Sequence, residues 1–291
     1  MKPDRGWTPY LFVLPAFAVF AVSILLPVVA TFGLSFFRWD GSGPLKFKGL
    51  ANYIRAFHDS VYISSYWHVL IYVVATIFLE VVAGLLLAGA VSARPHTTFY
   101  RVAFFVPVML PLVVIAVLWS FVLNPDFGLL NAGLEAIGLG SWKRVWLGDP
   151  NTALLAISVI SGWIFAGFYM AIFYAGFARI PRDLIESARL DGAGEWTIFR
   201  RMKVPLVRGI TEVAVLLCVT GGIQVFDLVF VLTNGGPYNT TEVPTTYLVK
   251  TVFRDQEVGY GSALAVILTV IIALVGLLYS RLRRRGADVE F

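Results

Sequence analysis

The chain has 291 residues, of which 58% are hydrophobic, 15% aromatic and only 14% charged. Soluble domains carry about 25% charged residues, so this composition excludes a soluble globular protein and points to a polytopic membrane protein. The formal charge of +5 is a topology signal once mapped along the chain, which leaves nucleic-acid binding without a role, and the single cysteine, Cys218, excludes an intrachain disulfide.

A bilayer core needs roughly 20 apolar residues in a helix, and six such stretches follow one another. The first, 10–37, holds no charged residue. It exceeds the roughly 7–15-residue core of a signal peptide and ends without a small-residue cleavage site, so it reads as a retained anchor. The second, 67–91, contains Glu80 alone among charged residues. The third, 102–123, is uncharged and includes Pro107 and Pro111, each of which removes a backbone donor and tends to kink a helix. The fourth, 152–178, and the sixth, 260–280, are uncharged. The fifth, 210–232, holds Glu212 and Asp227 and is interrupted by Gly221 and Gly222. That interruption fits backbone lining a cavity, and equally close helix packing through small residues. Backbone groups in lipid must be satisfied within each segment, so all six read as helices and the fold class is all-α.

Basic residues set the orientation. With the N-terminus inside, the inner segments hold 15 of them, from Lys2 and Arg5 through a seven-residue group between Arg179 and Arg208 to the C-terminal arginines. The outer segments hold eight: Arg38, Lys46, Lys48, Arg55, Lys143, Arg144, Lys250 and Arg254. Both termini are therefore expected to be cytoplasmic. His58, His68 and His96 have no metal-ligand spacing.

Within the membrane, Glu80 and Asp227 are expected to face protein interior or water, because an acid at bilayer centre costs about 2.5–3.5 kcal/mol. Gln224 and Asp227 lie three apart, near one helical face. Beside Trp119, Trp163, Tyr169 and Asn234 they would suit a sugar, whose hydroxyls need hydrogen bonds and whose C–H face stacks on rings. Helix packing and interfacial anchoring explain the same residues. The outer segment 240–261 has apolar residues near helical spacing, fitting a docking surface or a small packing helix.

The connection 179–208 is longer than neighbouring helices require. Pro181 suits a helix start and Asp183 its first turn. Asp191 and Gly192 make a turn, and a second helix is expected from Glu195 to Lys203, stopping at Pro205. Two short helices would form a knob suited to a groove on another protein, or an amphipathic loop held on anionic lipid.

ESARLDGAGEWTIFRRMKVP, residues 186–205, resembles the EAA motif of the membrane subunits of binding-protein-dependent ABC importers. Glu186, Ala188, Gly192 and Pro205 match its spacing, while Ser187, Met202 and Val204 depart from it conservatively. Asp191, Gly192 and Ala193 match the DGA triplet of the sugar-importer branch. Residues 101–131 resemble the third span and following outer loop of sugar, oligosaccharide and glycerol-phosphate permeases. FDLVFVLTNGGP, 226–237, resembles the end of the fifth span in MalF/UgpA-type subunits.

The resemblance implies a single six-span type I importer permease domain in a prokaryotic cytoplasmic membrane, forming one half of a heterodimeric pore with a MalG/UgpE-like second permease subunit. An ATPase dimer would dock on Glu186, Ser187, Ala188, Leu190, Asp191, Gly192 and Ala193, and an extracytoplasmic solute-binding protein on the outer loops. No G-x-x-x-x-G-K-[ST] loop occurs. The chain is thus expected to be no enzyme and to hold no cofactor, with ATP and Mg on the partner ATPase. The competing readings are a proton-coupled secondary transporter using Glu80 or Asp227, a permease for amino acids or phosphate, and a membrane-embedded enzyme. The last has no clustered His or nucleophile elbow to support it.

Overall fold

The computed structural model describes residues 8–94 and 97–286. Lys2, Arg5 and His96, which entered the charge and ligand reading, lie outside the described residues. Among the described residues, four single helices are long and apolar enough to cross a membrane: Tyr10–Leu34, Ser60–Ser92, Ala153–Phe177 and Val258–Arg281. Two bent pairs bring the number to six if each is one span. Thr97–Met109 and Leu112–Val122 turn through 94°, and Glu195–Leu206 and Arg208–Ile223 through 72°.

The differences from the expected spans have local causes. The first helix ends at Leu34 rather than Phe37, because Phe37–Arg38 pairs antiparallel with Lys46–Phe47 in a two-stranded ribbon. Asn52 fixes this departure by donating from its side-chain amide to the carbonyls of Ser35 (2.8 Å) and Phe37 (2.9 Å). The third segment is not one kinked helix. Pro111 disfavours helical geometry at the residue before it, so the chain stops at Met109 and restarts at Leu112, with Pro111 extended at φ −59° and ψ 129°.

In the fifth segment Gly221 and Gly222 do not interrupt the helix. Both stay inside Arg208–Ile223, Gly222 buried, and the break falls at 224–226 before Asp227–Leu232 begins. Pro205 likewise fails to stop its helix. Phe199–Lys203 forms a π turn, whose shifted bonding leaves room for a residue lacking an N–H, and the helical run continues to Leu206.

The chain divides into two compact units, residues up to Asp59 with Leu248–Ile271, and Ser60–Tyr247 with the residues from Ile272 onward. In the first unit, Tyr10–Leu34 buries none of its most apolar stretch, while the ribbon is tied to the start of the last helix by Gly259 N–H donating to the Trp39 carbonyl at 3.1 Å. The second unit contains the larger core. Helix Ala153–Phe177 packs against Ser60–Ser92 and Thr97–Met109, and Arg208–Ile223 closes the group. Val81, Ala88, Tyr169, Met170, Phe173 and Cys218 are buried at this junction. Gly84 permits the crossing: a Cβ there would lie 2.6 Å from Tyr169 Cβ and 2.8 Å from the Met170 backbone nitrogen. Small residues at such crossings let membrane helices gain dispersion contacts where lipid offers no hydrophobic drive.

Candidate functional site

Two features of the second unit bring together residues with chemistry to perform. One is a knob at 182–206. Pro181 caps helix Arg182–Leu190, with Asp183 in its first turn, where the helix dipole favours an acid. The helix ends in a Schellman motif: Ala193 N–H donates to Ala188 O (2.9 Å) and Gly192 N–H to Arg189 O (3.0 Å). Gly192 sits at φ +83°, a conformation that L side chains resist. Helix Glu195–Ile198 follows, and Arg189 reaches across the turn to Glu195, Nη2 to Oε1 2.7 Å. Both partners are half exposed, so the pair holds geometry more than it adds stability.

No residue of Arg182–Leu190 is buried, and Leu190 is 89% exposed. Glu186, Ser187, Asp191 and Gly192 are exposed, Ala188 and Ala193 partly so. The structure therefore brings all seven expected coupling residues onto one small projection. Its second half is anchored instead. Ile198 and Phe199 are buried, and the Phe199 ring meets Phe177 edge to face at 6.2 Å. Lys203 is buried as well, donating from Nζ to Ser92 Oγ at 2.9 Å with the Phe177 ring 5.6 Å away. Burial pushes its ammonium below the ordinary lysine range, partly opposed by Glu195.

The other feature is a cavity of about 380 Å3 between the helices. Tyr72, Thr76 and Glu80 enter it from Ser60–Ser92, and Ser161, Phe165 and Tyr169 from Ala153–Phe177. Tyr72 OH donates to Ser161 Oγ (2.8 Å), which donates to Glu80 Oε1 (2.7 Å). Cys218 Sγ lies 3.7 Å from Glu80 Oε2 and 3.6 Å from Thr76 Oγ1. Glu80 belongs to a π turn, Ile77–Val82, a distortion that often marks functional positions. The broken stretch contributes Gln224, Phe226 and Asp227, with the Val225 carbonyl accepting from Thr245 Oγ1.

Of the expected solute-path residues, Tyr169, Gln224 and Asp227 meet in this cavity. Trp119 and Trp163 pair with each other, ring centroids 5.7 Å apart, and are not among its lining. Trp163 follows Ser161 by two residues, which turns it about 200° away around the helix, and it is 49% exposed. Asn234 lies outside the lining too, at φ +46° in the loop beyond Leu232. Tyr72, Thr76, Ser161, Phe165 and Cys218 were missed by the sequence reading, although 72, 76, 80 and 161, 165, 169 each repeat at four-residue spacing on one helical face. Among the described residues no group of three His, Cys, Asp or Glu is placed to hold a metal.

Residues 80–286 match the family described as binding-protein-dependent transport system inner membrane component. The chain is 37% identical over 284 residues to the probable ABC transporter permease protein YurN of Bacillus subtilis, covering 96% of this chain and 97% of that protein. It is 30% identical to the trehalose/maltose transport system permease protein MalF of Thermococcus litoralis, covering 96% and 94%. A chain of the bacterial alginate ABC transporter, solved in complex with an alginate pentasaccharide-bound periplasmic protein, superposes with TM-score 0.83 at 21% identity, covering 99% of this chain and 98% of that one.

Proposed function

Because the chain belongs to the family of binding-protein-dependent transport system inner membrane components, and is therefore an ABC importer permease subunit, we propose that it forms one half of a pore for a sugar or oligosaccharide. The observation that carries this reading is the cavity, whose lining combines the polar groups of Tyr72, Ser161, Glu80, Gln224 and Asp227 with the rings of Phe165, Phe168 and Phe226. At about 380 Å3 it falls in the range of about 300–1,000 Å3 that small-molecule sites occupy. Carboxylates accept from the hydroxyls of a neutral sugar, while the rings offer faces for its C–H groups. The trehalose/maltose permease and the alginate transporter support a saccharide class.

ATP hydrolysis belongs to separate subunits. In this reading an ATPase dimer, holding ATP and Mg, grips the knob at Glu186–Ala193. Its closure moves the helices through Phe199 on Phe177 and Lys203 on Ser92. A second permease subunit completes the pore, and a solute-loaded binding protein docks outside, both termini of this chain being cytoplasmic. The proton-coupled alternative gains nothing from family membership, and Glu80 already has a hydrogen-bonding role within the cavity.

The test is uptake by the complete complex in proteoliposomes supplied with ATP and binding protein. Labelled neutral saccharides are expected to accumulate, and to do so equally with a protonophore present. Accumulation abolished by the protonophore, or confined to amino acids, overturns the reading.

A further inference from the structure

The first unit contains a polar pocket that shares no lining residue with the cavity assigned to the solute. Its volume is about 780 Å3, and its lining includes Arg38, Lys46, Lys48, Arg55, Glu257 and Tyr260. The ribbon that forms one wall has two unlike faces, because successive strand residues point to opposite sides. Phe37 opposes Phe47, their rings meeting edge to face at 5.4 Å, and Arg38 opposes Lys46. Arg38, Lys46 and, two residues on, Lys48 share the face that lines the pocket.

Like charges directly opposite in a ribbon are destabilising. Among the described residues, none of Arg38, Lys46 and Lys48 makes an ion pair. The acids of the pocket are already engaged. Asp40 accepts from the backbone N–H groups of Ser42 (3.0 Å) and Gly43 (2.7 Å), Asp255 pairs with Arg254 (3.0 Å), and Glu257 pairs with Arg55 (2.7 Å). Arg55 also stacks 3.9 Å over the Tyr260 ring, whose hydroxyl donates to Asp59 (2.8 Å). The pocket wall is thus built without a ligand, and its three unpaired cations, Arg38, Lys46 and Lys48, outnumber its one unpaired acid, Asp40.

Position and surroundings say what supplies the balancing charge. The ribbon begins three residues after Leu34, where the first span ends, and Tyr260 is in the first turn of the last one. Both put the pocket at headgroup depth. Beside it, Leu50, Ile54 and Phe57 form an exposed stripe at helical spacing, and Leu45 and Phe47 extend it along the apolar face of the ribbon. Ala51, Asn52 and Arg55, between these positions, line the pocket instead. An element with cations on one face and large apolar groups on the other lies in a membrane interface and attracts anionic lipid.

We propose that this pocket binds the phosphate of an anionic glycerophospholipid from the leaflet at that end of the spans, with the acyl chains lying on Leu45, Phe47, Leu50, Ile54 and Phe57. An acidic protein partner would satisfy the cations but leave that apolar stripe uncovered. The site does not depend on which solute is carried.

The test is thermal unfolding of the full chain in detergent micelles titrated with phosphatidylglycerol, phosphatidylcholine or inorganic phosphate. Phosphatidylglycerol is expected to raise the unfolding temperature, and the other two to have little effect. The triple variant Arg38→Gln, Lys46→Gln, Lys48→Gln is expected to need about a hundredfold more phosphatidylglycerol for half-saturation, and Lys46→Gln alone about fivefold more. Lys46→Gln also guards against misfolding, because without lipid it should unfold no earlier than the natural protein, the like-charge opposition being gone. Lys143→Gln, on a different loop, should titrate as the natural protein does. Equal half-saturation in all variants, or full stabilisation by inorganic phosphate alone, overturns the proposal.

Discussion

Ser161 Oγ lies 2.7 Å from Glu80 Oε1 and donates to it, so a hydroxyl on one span satisfies a carboxylate buried on another. Removing one partner of such a bond leaves the other desolvated and unpaired, at about 1–3 kcal/mol. Ser161→Ala is expected to lower the unfolding temperature in detergent, and Glu80→Gln, whose amide oxygen still accepts, to lower it less. In uptake assays both should raise KM for a saccharide more than they lower the maximal rate. Equal unfolding temperatures for Ser161→Ala and the natural protein would show that the bond contributes nothing.

Gly84→Ala tests the helix crossing. The added methyl meets backbone and Cβ atoms, which cannot swing aside, so overpacking of about 1–3 kcal/mol is expected. Gly33→Ala is the control, since nothing lies within 4 Å of a Cβ there. Melting curves of the two variants should separate clearly, and coincident curves would refute the close approach.

Glu186→Lys reverses a charge on the knob without touching its core. Insertion and unfolding temperature should stay unchanged, while solute-stimulated ATPase activity of the assembled complex falls at least about tenfold, the loss expected when a charge pair of about 1.4 kcal/mol or more is broken. Normal stimulation would detach this helix from energy coupling.

Lys203→Met tests the buried anchor through pH. Burial depresses the Lys203 pKa, so the unfolded chain binds a proton more readily than the folded one between the depressed value and the ordinary value near about 10.4. The natural protein should therefore gain stability as pH rises through that window, once the charge that burial penalises is lost. Lys203→Met keeps the alkyl packing and has no proton to lose, so its stability should be flatter there. Parallel pH profiles of the two proteins would contradict this.

The spans were legible from charge alone, because a membrane interior tolerates so few charged residues that Glu80 and Asp227 stand out. The breaks were less so. A proline announces a bend, but whether Pro111 bends a helix slightly or through 94° depends on what the two halves pack against. Gly221 and Gly222 suggested an interruption, yet the helix runs through them and breaks at Gln224, two residues beyond the pair. The knob was readable because its signals are local: Pro181, Asp183 and Gly192 act within a turn of themselves. The cavity was half readable. Tyr169, Gln224 and Asp227 have chemistry that draws notice, while Ser161 and Thr76 are ordinary residues until folding sets them beside Glu80. Trp119 and Trp163 drew notice by residue type, but the face of the helix decides where a ring goes.

No residue of helix Arg182–Leu190 is fully buried, and only Ile185 and Ala188 are partly so. A segment with that property contributes little to the core, so its exposed side chains, apart from Arg189 on Glu195, are free to be chosen by whatever they touch. Its C-terminal end is closed by its own hydrogen bonds and its neighbour is bolted down by Phe199 and Lys203. On the proposed docking of an ATPase here, replacing its surface residues with those of a related subunit should change which motor drives the pore while leaving the pore itself as it was.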